Sequence, residues 1–147
     1  MIEKISLTLG RFLLGLYFVL PGISKITGYG STVSYMELHD IPLVSVLLPV
    51  TIILQIGCGL ALITGLRIKE CALIFVGLTL LINFGMHDFW NEYPNTTTAH
   101  ELQNFVKNLA ILAGLLVLST TNHLGQWRLF DAHAGDQLIE KIVRRKG

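Results

Sequence analysis

Four long apolar stretches, separated by short polar ones, organise the sequence. Ile41 to Leu66 contains no charged residue, and Cys71 to Met86 is also uncharged. The latter reaches spanning length with Glu70 at one end and His87-Asp88-Phe89-Trp90 at the other. A stretch from about Leu102 to Thr120 carries one cation, Lys107, near its start, and the first, from about Ile5 to Ser24, contains Arg11. A helix needs roughly 20 residues to cross the hydrocarbon core. The pattern therefore predicts an all-α integral membrane four-helix bundle over residues 1–125, with spans at about 5–24, 43–65, 70–89 and 102–120. Lys4 ahead of an N-terminal apolar run resembles a secretory signal, but Arg11 would interrupt its apolar core and no small-residue cleavage pattern follows. The stretch is read as a membrane helix.

Composition narrows the partners. Hydrophobic residues make up 52% of the chain and charged ones 14%, against about a quarter in soluble domains, and the mean hydropathy is +0.59. The lipid bilayer is the expected partner. Eleven Lys plus Arg against ten Asp plus Glu give a net charge of +1, without the basic excess that phosphate-backbone binding requires, so no nucleic acid is expected. Lys4, Arg67, Lys69, Arg128, Lys141, Arg144, Arg145 and Lys146 fall on one side when the loops alternate across the membrane. Only Lys25 falls on the other, and this bias predicts that both termini are cytoplasmic. The loops from Ile26 to Asp40 and from Asn91 to Glu101 then face outward. Cys58 and Cys71 map toward the cytoplasmic leaflet, where thiols stay reduced, so no disulfide is expected.

Local chemistry marks the boundaries. Thr98-Ala99-His100-Glu101 matches a capping box at the start of the fourth span. Phe89, Trp90 and Tyr93 form an outer aromatic belt and Trp127 an inner one. Residues 126–147 place Leu138, Ile139, Ile142 and Val143 beside a basic cluster, which predicts a cytoplasmic interfacial amphipathic tail; a solvated tail is the alternative. Asn95-Thr96-Thr97 matches a glycosylation sequon. Gly57, Ala61 and Gly65, and again Ala110 and Gly114, recur every fourth residue and offer small faces for close helix packing.

Polar residues inside spans are costly and therefore informative. Arg11, Gly15, Phe18, Gly22 and Lys25 fall on one helical stripe. At about 1.5 Å rise per residue, Arg11 lies roughly 9 Å and Gln55 about 13 Å from the inner surface, within reach of each other. Lys107 and Asn83 both lie near 20 Å, with Asp88 at about 27 Å, so Lys107 is expected to extend toward Asp88. The result is a polar seam: Arg11 and Gln55 below, and Asn83, His87, Asp88, Asn104, Lys107 and Asn108 above. The bland alternatives are snorkelling of Arg11 and Lys107 and an Asp88–Lys107 pair that only locks two helices.

Several segments together resemble the DoxX family of four-helix membrane proteins: Arg11-Phe-Leu-Leu-Gly15-Leu-Tyr-Phe18-Val-Leu-Pro-Gly22-Ile-Ser-Lys25, Gln55-Ile-Gly57-Cys-Gly59-Leu-Ala-Leu-Ile-Thr-Gly65, His87-Asp88-Phe89-Trp90 and Phe105-Val-Lys107-Asn108-Leu109. The resemblance implies a multi-pass plasma membrane protein of the bacterial inner membrane. It also implies quinone-linked redox chemistry, since some relatives are subunits of a thiosulfate:quinone oxidoreductase and others are linked to quinone or thiol stress. Many relatives carry an acidic residue where this chain has Gln55, an amide that hydrogen-bonds but does not titrate.

The expectation for the site is a quinone pocket. His87, Asp88 and Lys107 are its catalytic residues, and Arg11, Tyr17, Gln55, Asn83, Trp90, Asn104 and Asn108 its lining. The ring would lie against Trp90, Phe89 or Tyr17, its carbonyls would accept from His87 or Lys107, and Asp88 would orient or exchange a proton with His87. A bound quinone is the one cofactor expected. Electrons would come from a redox partner protein, because no intrinsic centre is visible, and a homo-oligomer is a further expectation. His39-Asp40, His87-Asp88 and His100-Glu101 all fall outward, but their spacing does not support a metal: His100-Glu101-Leu102-Gln103-Asn104 lacks the second His of H-E-x-x-H. The alternative function is a non-catalytic membrane anchor or assembly subunit of a redox complex.

Overall fold

The computed structural model describes residues 1–94 and 96–121. The expected amphipathic tail with Trp127, and Asn95 of the sequon, lie outside the described residues. Five helices follow one another: α1 (Ile2–Thr27), α2 (Tyr29–Leu38), α3 (Val44–Thr64), α4 (Ile68–Met86) and α5 (Thr98–Thr120), with no strand among the described residues. Four of them, α1, α3, α4 and α5, are long and apolar enough to cross a membrane. The protein is an all-α, multi-pass membrane bundle.

The segment expected as an outward loop contains α2 instead. Gly28 ends α1, and its carbonyl accepts from Thr32 N–H at 3.0 Å and from the hydroxyls of Ser31 and Thr32 at 2.8 and 2.9 Å. The chain thus restarts as a helix within one residue. From Ser31 to Leu38 neither Gly nor Pro interrupts it, and nothing in the pattern of apolar residues there has a clean helical stripe to reveal it.

The two closest helix pairs are α1 with α3 and α4 with α5, and α3 against α4 joins them. The buried face of α1 is Arg11, Gly15, Phe18, Val19 and Gly22, the stripe that its helical spacing predicts. Phe18 stacks on Phe75 of α4, with ring centroids 3.7 Å apart and planes 9° from parallel. Around them Leu62, Ile68, Ala72 and Leu115 are fully enclosed.

Glycine is required where α1 meets α3. A Cβ on Gly15 would lie 2.7 Å from the Gly59 carbonyl oxygen, and one on Gly59 would lie 2.6 Å from Val19 Cγ2. The backbones approach closely in the manner of small-residue membrane packing. The expected face through Gly57 is corrected, because nothing lies within 4 Å of a Cβ built there. Two residues along a helix rotate the direction by about 200°, so Gly57 faces away from the neighbour that Gly59 touches. Gly114 makes only an ordinary contact with Leu14, at 3.9 Å.

Candidate functional site

Arg11 is 2% exposed and lies beside the C-terminus of α3. That helix closes with Gly65 in the left-handed conformation (φ 86°), and Leu66 N–H returns to the Ala61 carbonyl at 2.8 Å, the Schellman pattern. Arg11 Nη1 donates to the Leu62 and Ile63 carbonyls at 2.6 and 2.8 Å. The Leu62 carbonyl also accepts from Gly65 N–H at 3.3 Å, so the cation adds a second donor there, meets the Ile63 carbonyl, and sits at the negative end of the helix dipole. The expected contact with Gln55 is corrected: Gln55 lies seven residues earlier on α3, about 10 Å along the axis, and packs against Gly22. Its Oε1 is buried with no hydrogen-bond partner among the described residues.

At the opposite end, α2, the loop after α4 and the start of α5 meet. Thr97, rather than Thr98, caps α5, its hydroxyl accepting from His100 N–H at 3.3 Å. Glu101 is therefore not turned back as a cap. It points inward, 2% exposed, where its Oε2 lies 2.7 Å from His87 Nδ1 and its Oε1 accepts from the Tyr35 hydroxyl at 3.1 Å. Tyr35 also lies 3.2 Å from the Met86 carbonyl. Burial, then the charge of Glu101 and the bond to it, push the Tyr35 phenol above its ordinary value, so it stays protonated.

Asp88 belongs to an adjoining cluster. Its Oδ2 accepts from the Tyr93 hydroxyl and from Asn91 Nδ2, both at 2.6 Å, while Oδ1 lies 3.8 Å from His39 Nε2. Burial works against ionisation, but the bonds from Tyr93 and Asn91 and the nearby His39 outweigh it and hold the carboxyl below its ordinary range. The bond to Asp88, then burial, raises Tyr93. His39 Nδ1 lies 2.9 Å from the Tyr35 carbonyl, which only accepts, so that nitrogen carries the proton. The His39 ring also packs at a tilt against Tyr35 and Tyr93, with centroids 4.4 and 4.2 Å away.

A cavity of about 1030 Å³ begins at this network. Tyr35 and His87 line one end with Ser31, Thr32 and Lys25, and Leu48, Leu54, Leu78 and Leu81 line its length. Leu81 and Phe84 are 74% and 58% exposed and line it too, so the cavity opens on the outer face of the bundle. Its shape is an apolar groove with a polar head.

The remaining expected site residues do not gather there. Lys107 is exposed on α5 and donates to Asn104 Oδ1 at 2.9 Å; no Lys107–Asp88 ion pair forms among the described residues. Lys107 turns toward Asn104 one helical turn before it on the same helix, while Asp88 is enclosed by the loop after α4 and by α2. His87 pairs with Glu101 and not with Asp88. Tyr17 donates to Asn108 Oδ1 at 3.1 Å, tying α1 to α5, and Asn83 donates to the Phe105 carbonyl at 3.3 Å, tying α4 to α5. Trp90 is 53% exposed and edges onto Phe89 and Phe105. Of the ten residues expected at the site, only His87 lines the groove. Glu101, Tyr35 and Tyr93 were missed as site residues. No group of three or more His, Cys, Asp or Glu side chains able to hold a metal ion occurs among the described residues.

Comparison with known proteins agrees with this architecture. The DoxX family model matches residues 6–88. The chain is 36% identical over 140 residues to the inner membrane protein YqjF of Escherichia coli K12, covering 95% of this chain and 96% of that one. It is 23% identical over 119 residues to the inner membrane protein YphA of the same organism, covering 81% and 84%. No solved structure matches.

Proposed function

The chain belongs to the DoxX family, and from that premise we propose that it is an inner-membrane component of quinone-linked redox chemistry that takes the quinone in the groove headed by His87 and Tyr35. Family membership supports the membrane redox setting. The observation that carries the site is the groove itself: a mostly apolar channel open to the outer face of the bundle, with His87 and Tyr35 among the few hydrogen-bonding side chains on its lining. An isoprenoid quinone has the matching shape, a flat polar ring on a long apolar tail, and mostly apolar cavities with a few placed polar groups are the usual form of such sites. The ring sits at His87 and Tyr35, and the tail lies along Leu48, Leu54, Leu78 and Leu81.

A quinone bound there supplies two-electron, two-proton exchange; the chain's own residues bind and orient it and exclude water behind it. In this reading the electrons come from a redox partner protein. The cation bias supports cytoplasmic termini, which would turn the His87 end outward. The test is mass spectrometry of an organic extract of the protein purified in mild detergent, beside a Leu54→Trp variant that fills the groove. Stoichiometric quinone in the wild type that is lost from a folded variant supports the reading. Equal, substoichiometric quinone in both defeats it.

The second reading, a non-catalytic anchor, is favoured by a specific observation. Tyr17–Asn108, Asn83–Phe105 and Arg11 on the end of α3 each tie two helices together, so much of the polar seam serves assembly.

A further inference from the structure

Four polar side chains at the head of the groove turn their protons away from it. Ser31 and Thr32 donate to the Gly28 carbonyl. Tyr35 has one hydroxyl proton, and it faces Glu101 Oε1 at 3.1 Å or the Met86 carbonyl at 3.2 Å. His87 Nδ1 lies 2.7 Å from Glu101 Oε2, the geometry of a charge-assisted bond. Lys25, the one cation on the lining, only donates, so the part of the head that Glu101 can set is the Tyr35–His87 pair.

A carboxylate only accepts. With a proton-bearing partner facing each oxygen of Glu101, a neutral His87 carries its proton on Nδ1 and leaves Nε2 bare, and Tyr35 Oη keeps a lone pair free. We propose that Glu101 sets the head of the groove as a pair of hydrogen-bond acceptors, so that the site prefers a hydroxyl-bearing ligand head, the quinol, over the carbonyl-bearing quinone. Quinol hydroxyls donate to two acceptors, whereas quinone carbonyls meet them lone pair to lone pair and leave both groups unsatisfied in a buried site. Sites built around a hydrogen bond discriminate strongly against the analogue that lacks it. Glu101 acts here as a positioning residue, through Tyr35 and His87. This rests on the quinone reading above and assigns the redox form that the site holds.

The test uses the full chain in nanodiscs with a decyl-tailed benzoquinone and its quinol. The wild type is expected to bind the quinol about tenfold tighter, the scale of one well-made buried hydrogen bond. For a two-electron couple this raises the midpoint potential of the bound form by about 30 mV relative to the free one. Glu101→Gln presents one acceptor and one donor where the carboxylate presented two acceptors: an amide N–H aimed at His87 moves the ring proton to Nε2, and one aimed at Tyr35 occupies a lone pair of its hydroxyl while the phenol proton stays on the Met86 carbonyl, so either way an acceptor is lost and the preference should fall to near parity. Tyr35→Phe removes one acceptor while leaving the Glu101–His87 bond, and should lower the preference with the fold intact. Nitrogen-15 spectra of labelled histidine read the tautomer of His87 directly, with Nδ1 protonated and Nε2 bare in the wild type. Equal binding of the two forms, a preference for the quinone, or a protonated Nε2 overturns the assignment of Glu101 while leaving the groove occupied. Binding of neither form overturns the quinone reading itself, and this assignment with it.

Discussion

Arg11 and Glu101 are equally buried, each 2% exposed, at opposite ends of the bundle, yet they are held by different chemistry. Arg11 is met by backbone carbonyls at the end of α3, groups that neither titrate nor change rotamer. Glu101 is met by Tyr35 and His87, side chains that move protons and border a cavity. A charge fixed by backbone locks a helix end in place; a charge shared among side chains can respond to a ligand. The difference separates an assembly end from a candidate ligand end, although both look alike as buried charges in a span.

The strongest way to break the comparison is at the packing that positions both ends. Gly59→Leu would push a side chain into Val19 and the Gly15 backbone, neither of which can yield, and should cost about 3 kcal/mol or more. Thermal unfolding in detergent should show the bundle failing as a whole, with quinone content falling in step. Arg11→Met should come next, at about 2 kcal/mol, because it strips a donor from the buried Leu62 carbonyl and the half-buried Ile63 carbonyl. It should lower the melting temperature while leaving the quinone content of the folded fraction unchanged.

Asp88→Asn should cost less, about 1 kcal/mol, and the pH dependence sharpens the point. The ordinary value is 3.8 and the folded one is lower, so the stabilisation from Asp88 is complete above the ordinary value and is lost as pH falls through the folded one. Melting curves of the wild type should therefore drop on that acid limb more steeply than those of Asp88→Asn. Lys107→Met should be the mildest, within about 0.5 kcal/mol, as befits an exposed side chain, and should leave both stability and quinone content near wild type. A large loss of quinone from it would restore Lys107 to the site.

The unequal legibility of the two ends has a physical basis. The buried stripe of α1 was readable because helical periodicity gathers Arg11, Gly15, Phe18 and Gly22 without help from tertiary contacts, and the four spans were readable from length and hydropathy. Depth along a helix was readable too, but azimuth was not. Lys107 and Asp88 were placed at compatible heights, while Lys107 faces outward and Asp88 is enclosed by Tyr93, Asn91 and His39. Glu101 was hidden by a motif that fits it: beginning at Thr98 it reads as a cap, and only the shift of the cap to Thr97 frees its carboxylate to turn inward. Tyr35 and His39 lie on and beside α2, a helix without an apolar stripe, so nothing local announced that they fold back over α4.

The central claim is that the groove at the Glu101 end, and not the Arg11 end or the outer face of α5, receives the quinone. Photolabelling with an azido-substituted quinone, followed by peptide mapping, tests it most directly. The account predicts label on the segments around Tyr35–Ile41 and Leu81–His87, competed away by unlabelled quinone. Label spread over α5 around Lys107, or concentrated near Arg11, would contradict it.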